Sequence, residues 1–170
     1  MKQLIIIPLA AATFLTSCAI VRPGEVGTRR TLGKLSDKVL DQGAYMYNPI
    51  TTTVLKTPVR TENIEVNLNL PSKEGLNVNS DISILYRIEK DKVPALIENI
   101  GLGYEGIIKS VFRSSSADIC AQFLAKDMHS GKRRDIEKDI AKRMNEILGD
   151  DGINIESVLL KTIKLPEGLY

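Results

Sequence analysis

Two stretches of strict alternation decide most of what this chain can become. Ile64, Val66, Leu68 and Leu70 alternate with Glu65, Asn67 and Asn69, and Pro71-Ser72-Lys73-Glu74-Gly75 then turns the chain. In the run that follows, Leu76, Val78, Ile82, Ile84, Tyr86 and Ile88 share one parity, while Asn77, Asn79, Asp81, Ser83 and Arg87 share the other. A period of two sends successive side chains to opposite faces of a strand. The pattern therefore predicts a long antiparallel hairpin with one face on a core and the other in water.

On the amino-terminal side, short apolar runs between Val21 and Pro58 are punctuated by Pro23-Gly24, Gly27, Gly33, Gly43 and Asn48-Pro49, which reads as successive short strands and tight turns. Beyond Ile88 the period changes to that of a helix. Asp91 is a good N-cap and Pro94 suits a first turn, with Leu96, Ile97 and Ile100 as an apolar stripe ending at Gly101. A second helix runs from Tyr104 through Ile108, Val111 and Phe112 to Ile119, Cys120, Phe123 and Leu124, interrupted by the polar run Ser114-Ser115-Ser116. Ser130 can cap a third, whose inner face is Ile136, Ile140, Met144, Ile147 and Leu148. Residues 153–165 are rich in Ile, Val and Leu and read as a strand returning to the sheet. The expected fold class is α+β: an antiparallel sheet with a long central hairpin packed against two or three helices.

The first residues have a different character. One positive charge at Lys2 precedes an uncharged run from Leu4 to Leu15, and Leu15-Thr16-Ser17-Cys18 follows at once. This is the n-region and h-region of an export signal, ending in a sequence that resembles the lipobox of bacterial lipoproteins. Cleavage is expected between Ser17 and Cys18, because a thiol is needed to accept a diacylglyceryl group as a thioether. Lipid attachment is assigned to Cys18, with residues 1–17 as signal peptide and 18–22 as lipidated N-terminus and short linker. The uncharged run to Val21 approaches the length of a spanning helix, so an uncleaved anchor is the alternative. Cys120 then lacks an intramolecular partner and reads as a small buried hydrophobe.

Composition narrows the chemistry. With 23 basic and 21 acidic residues among 170, the chain lacks the charge imbalance of a nucleic-acid groove. One His and no Trp leave histidine metal sites and stacking platforms poorly supplied. His129 with neighbouring Ser130 does not make a triad by adjacency, and the carboxylate pairs Asp150/Asp151 and Glu62/Glu65 carry no companion signal. Gly24 and Gly27 read as turn residues in place of a phosphate loop, and Lys132-Arg133-Arg134 as a solvated helix face. No catalytic, metal or cofactor site is assigned.

Val21-Arg22-Pro23-Gly24-Glu25-Val26-Gly27, Gly33-Lys34, Gly43, Asn48-Pro49, Thr61-Glu62-Asn63-Ile64-Glu65-Val66, the hairpin with Ser83-Ile84-Leu85-Tyr86-Arg87-Ile88, and Ile163-Lys164-Leu165-Pro166 occur in an order that resembles the SPFH or band 7 family (stomatin, prohibitin, flotillin), closest to the prohibitin branch. The resemblance implies an SPFH domain over residues 23–166, lying at a membrane surface. Residues 167–170 end the chain without the coiled-coil helix that usually follows. Relatives commonly carry charge in the helix after Arg113, where this chain has Ser115, Ser116 and Ala117. What the resemblance implies for function is a non-enzymatic scaffold or organiser of membrane proteins, with regulation of a membrane-bound AAA protease as the alternative and an envelope hydrolase a distant third. The expected partners are membrane lipid through acylated Cys18, membrane proteins and further copies of the chain, without nucleic acid. The expected location is the extracytoplasmic side of a bacterial envelope, at the outer membrane where there is one, since Ala19 is not the aspartate that retains lipoproteins at the inner membrane.

Overall fold

In the computed structural model, which describes residues 17–129 and 131–164, five short strands precede the hairpin: β1 (Ser17–Val21), β2 (Glu25–Thr31), β3 (Lys34–Leu40), β4 (Gly43–Tyr47) and β5 (Thr52–Pro58). β1 pairs antiparallel with β4 in a ribbon, and β2 lies between β3 and β5 in a three-stranded antiparallel sheet. The ribbon stacks on that sheet at Gly27. A Cβ there would stand 3.0 Å from Val21 Cγ2, 3.2 Å from Val54 Cγ1 and 3.3 Å from Leu40 Cβ, so the absence of a side chain is what lets β1 approach.

The hairpin consists of β6 (Glu62–Pro71) and β7 (Asn77–Ile88), in unbroken register from Glu62 opposite Tyr86 to Pro71 opposite Asn77. Val78, Ile82, Ile84, Tyr86 and Ile88 are all buried, as the alternation requires. Pro71 is the last paired residue of β6 and not part of the turn. Ser83 departs from the expected polar parity by being buried. It is a small residue on the central strand, with Glu65 opposite on one side and Leu159 on the other, and its hydroxyl donates to Asn63 Oδ1.

Four helices follow: α1 (Val93–Asn99), α2 (Tyr104–Cys120), α3 (Ala125–His129) and α4 (Arg133–Leu148). Several sequence expectations change here. Asp91 does not cap α1: it lies inside a 3-10 turn, Lys90–Lys92, that runs straight into the helix, leaving Lys92 at the cap position without a side-chain bond. The serine run lies within one continuous α2, as the longer-helix reading has it. Ser115 and Ser116 face the core, and Ser116 Oγ donates to the Arg113 carbonyl at 3.2 Å, so local bonding lets a hydroxyl occupy an inner helix position. α2 ends at Cys120, and Phe123 and Leu124 fall in the connection to α3. The cap position of α4 is held by Lys132, not Ser130, which lies outside the described residues. The inner face of α4 is Ile136, Ile140, Met144 and Leu148, one residue per turn, whereas Ile147 is turned outward.

The returning strand β8 (Ile153–Lys164) pairs antiparallel with β7, giving the order β6-β7-β8. Two bulges interrupt it. Asp81 faces Thr162 and Ile82 faces Leu160, which leaves Lys161 extra. Leu85 faces Ser157 and Tyr86 faces Ile155, which leaves Glu156 extra. The other edge of β8 is met by α4: Asn145 donates to the Ile155 carbonyl at 2.9 Å and accepts from its N–H at 2.8 Å, and Glu137 accepts from the Leu160 N–H at 2.8 Å. Helix side chains thus take the place of a further strand and cover backbone groups an open edge would expose. A single core runs from Val26 through the hairpin's inner face to α1, α2, α3, α4 and β8. Among the described residues, no helix is long and apolar enough to cross a membrane.

Candidate functional site

Cys18, the one residue assigned a chemical role from sequence, lies in β1 directly opposite Met46 of β4, and its thiol is exposed. Alternation along the ribbon sorts its neighbours. Ala19 and Val21 turn inward and are buried, while Cys18 and Ile20 turn outward together with their partners Met46 and Ala44. Ile20 is 61% exposed and Met46 71%, so the thiol sits on an apolar face that no described residue covers. Of the stretch read from sequence as lipidated N-terminus and linker, 18–22, the residues up to Val21 are paired strand. Short alternating runs such as Ala19–Val21 carry too little pattern to separate a tether from an edge strand.

Beneath the ribbon, the Arg29 guanidinium lies 5.9 Å from the centroid of the Tyr45 ring, within cation–π reach. Arg29 Nε is buried and has no hydrogen-bond partner among the described residues. Of the Arg29-Arg30 pair, only Arg30 is fully exposed.

Cys120 has the opposite environment. It is fully buried at the end of α2, and burial pushes its thiol up to about 12, far from the thiolate that metal binding or nucleophilic attack needs. The remaining polar residues weighed from sequence do not converge. His129 closes α3 but its side chain, like Ser130, lies outside the described residues. Glu62 pairs with Arg60 at 3.2 Å, and Glu65 pairs with Lys161, which holds its carboxyl below the usual range. Lys132 reaches Asp127 and Arg133 reaches Glu137, both at 3.3 Å, so two members of the basic run are already paired. Among the described residues, no three His, Cys, Asp or Glu side chains gather as a metal site. The grooves are shallow; one of them, on the outer face of α2, is lined by Lys109, Ser110, Arg113, Ser114 and Ala117.

The SPFH domain / Band 7 profile matches residues 19–170, nearly the whole chain and wider than the 23–166 expected. The chain belongs to the SPFH domain / Band 7 family. Its architecture of antiparallel sheets with four helices is that of an SPFH domain. Prohibitin-1 of Saccharomyces cerevisiae is 26% identical over 125 residues, which are 73% of this chain and 43% of the yeast protein. The chain therefore aligns with less than half the length of that curated relative. SPFH family proteins are membrane-associated, and their general role is that of non-enzymatic scaffolds.

Sequence reasoning singled out Cys18 but missed its setting. Ile20 and Met46 are 26 residues apart in the chain, and only strand pairing makes them one surface with the thiol.

Proposed function

We propose that this SPFH-domain chain is a lipid-anchored, non-enzymatic scaffold that organises membrane proteins on the extracytoplasmic face of a bacterial envelope, with Cys18 as the acylated residue. The observation that carries the reading is the exposed Cys18 thiol on the apolar outer face of β1 and β4, immediately after the uncharged run Leu4–Leu15. A single acyl chain holds a protein to a bilayer only reversibly, with a partition constant near about 10⁴ M⁻¹, whereas a diacylglyceryl group supplies the two chains needed for durable attachment. With Ala19 already paired in the ribbon, such an anchor would be joined to the folded domain without a spacer. The family's scaffolding role then takes a simple form here: domains held against one surface meet at high effective concentration, and weak contacts add.

The test is metabolic labelling with palmitate. Cys18→Ser is expected to abolish incorporation and to leave a precursor that keeps residues 1–17. Normal labelling of the Ser variant overturns the assignment. Where the cell has two membranes, the wild-type chain is expected in the outer-membrane fraction. Stoichiometric co-purification with an ATPase or protease would replace the scaffold by a regulator of that enzyme.

A further inference from the structure

The turn between β2 and β3 breaks two rules at once. Its central residues, Leu32 and Gly33, both have positive φ, at 50° and 88°, which is the signature of a type I′ hairpin turn. Glycine suits the second place, but the first is one that Asn, Asp or Gly normally fills. Leu32 is the only non-glycine residue with positive φ among those described. It is also 82% exposed, more than any other large hydrophobic residue described. A strained backbone carrying a bare leucine into solvent serves neither the turn nor the core, and strain of this kind collects at functional positions.

A second exposed apolar side chain belongs to the loop bonded to it. The Leu32 N–H donates to the Thr51 carbonyl at 2.8 Å, which ties the turn to the β4–β5 loop, and the residue before Thr51 is Ile50, 75% exposed. That loop is held in shape by the Asn48 side chain, which accepts from the Ile50 N–H at 2.9 Å. β4 enters the loop at Tyr47, and Tyr47 is paired with Ser17, where β1 begins. Leu32, Ile50 and the point at which residues 1–16 join the fold are therefore at one end of the molecule.

Charge next to the turn has one sign. Between Val26 and Ser36, and again between Gly43 and Thr57, there is no Asp or Glu, while Arg29, Arg30, Lys34 and Lys56 are present. Arg30 and Lys34 flank the turn, exposed on either side of Leu32. Of the nearby carboxylates, Asp37 lies back along β3 at the level of Arg29, while Glu25 at the start of β2 and Asp41 just past β3 stand at the far end from the turn.

We propose that this tip inserts into the interfacial region of an anionic lipid bilayer, with Leu32 and Ile50 entering the acyl boundary and Arg30 and Lys34 meeting the headgroups. Burial of two exposed side chains and attraction to anionic lipid are the two contributions that hold an interfacial segment on a membrane. The proposal rests on the membrane reading above, but not on acylation. Direct attachment of the fold to residues 1–17 brings the tip to the surface whether the anchor is a lipid or the apolar segment itself.

The chain contains no Trp, so a single introduced Trp reports its own depth. Full-length Leu32→Trp and Ile50→Trp, reconstituted into phosphatidylglycerol/phosphatidylethanolamine vesicles, are expected to show blue-shifted emission and strong quenching by brominated acyl chains. Ile147→Trp serves as the control. Ile147 is near Gly149, whose carbonyl Lys92 reaches at 3.0 Å, and Lys90 nearby pairs with Asp41 beyond the far end of β3 from the turn. The same readout in Leu32→Asn/Ile50→Trp separates function from folding: Asn suits positive φ, so thermal stability holds or rises while quenching at position 50 falls. Quenching at 32 and 50 no greater than at 147 overturns the proposal. So does a blue shift that appears without vesicles and grows with protein concentration, which would assign the tip to a second copy of the chain. Palmitate labelling with no quenching sinks the tip and leaves the anchor standing; quenching in a chain that takes up no palmitate does the reverse.

Discussion

Two serines on the inner face of α2 show how little room this core leaves for charge. Ser115 and Ser116 are 1% and 0% exposed, and Ser115 Oγ has no hydrogen-bond partner among the described residues. A buried hydroxyl without a partner is a net cost, so Ser115→Ala is expected to raise stability by up to about 1 kcal/mol. Ser115→Glu would bury a carboxylate on the face of Ile108 and Phe112 and should cost several kcal/mol, on the order of the usual penalty for a buried charge. Thermal melts of the two variants against wild type decide the point, and equal losses would mean that this face of the helix is open to water. The serine run reads from sequence as a polar interruption of the apolar spacing within one longer helix, because hydroxyls are poor core residues. It was legible as polar but not as buried, since α2 fixes which residues share the face of Ile108 and Phe112 only once its phase is set by packing.

β8 carries the clearest case of an element that hides its own pattern. Ile153 and Ile155 are buried on one parity, and Val158 and Leu160 on the other, so the strand shows no continuous alternation. The bulge at Glu156 restores it by adding one residue between the two halves. The extra residues also reach across the outer face. Glu156 accepts from Thr61 Oγ1 at 2.9 Å and pairs with Arg87 at 3.5 Å, and Lys161 pairs with Glu65. Deleting Glu156 is therefore expected to leave the fold intact, because Ile153, Ile155, Val158 and Leu160 then fall on one regular parity. The loss is confined to exposed polar contacts, worth about 0.2–1 kcal/mol each, or a few degrees in Tm. Deleting Ser83 from the unbulged hairpin instead moves every later residue of β7 to the opposite face and should abolish cooperative melting. Circular dichroism melts of both deletions give the comparison, and similar behaviour would refute the bulge assignment. Asn145 and Glu137 belong to the same scale: they read as wet-face residues of an amphipathic helix, and their bonds to β8 depend on where α4 comes to lie.

Across the whole molecule, burial holds several acidic protons in place at high pH. The Cys120 thiol is pushed up to about 12 from an ordinary value of 9.0 by desolvation, and burial also raises Tyr86 and Tyr104, whose rings meet edge to face at 6.4 Å between β7 and α2. A group whose folded pKa lies above its unfolded value stabilises the fold fully below the unfolded value and loses that contribution as pH rises through the folded one. Stability is therefore expected to fall progressively from about pH 9 toward pH 12, with the slope reduced in Cys120→Ala. A slope unchanged by the substitution would place the alkaline sensitivity elsewhere. On the acid side the sign reverses: Glu65, held low by Lys161, adds stability above its unfolded value that is lost as pH falls through the folded one.

Alternation between Ile64 and Ile88 determined the hairpin, and helical spacing determined the cores of α2 and α4, because these patterns are local and repeat often enough to exclude the other period. The family, too, was readable from the order of short motifs. Tertiary structure alone decided that Cys18 lies in a paired strand, that Ile20 and Met46 make one face with it, and that Leu32 and Ile50 share a tip. Each of these joins residues distant in sequence through strand register or a single backbone hydrogen bond. No period of two or 3.6 encodes such a pairing: it is fixed when the sheets stack at Gly27 and the turns between their strands take their final shape.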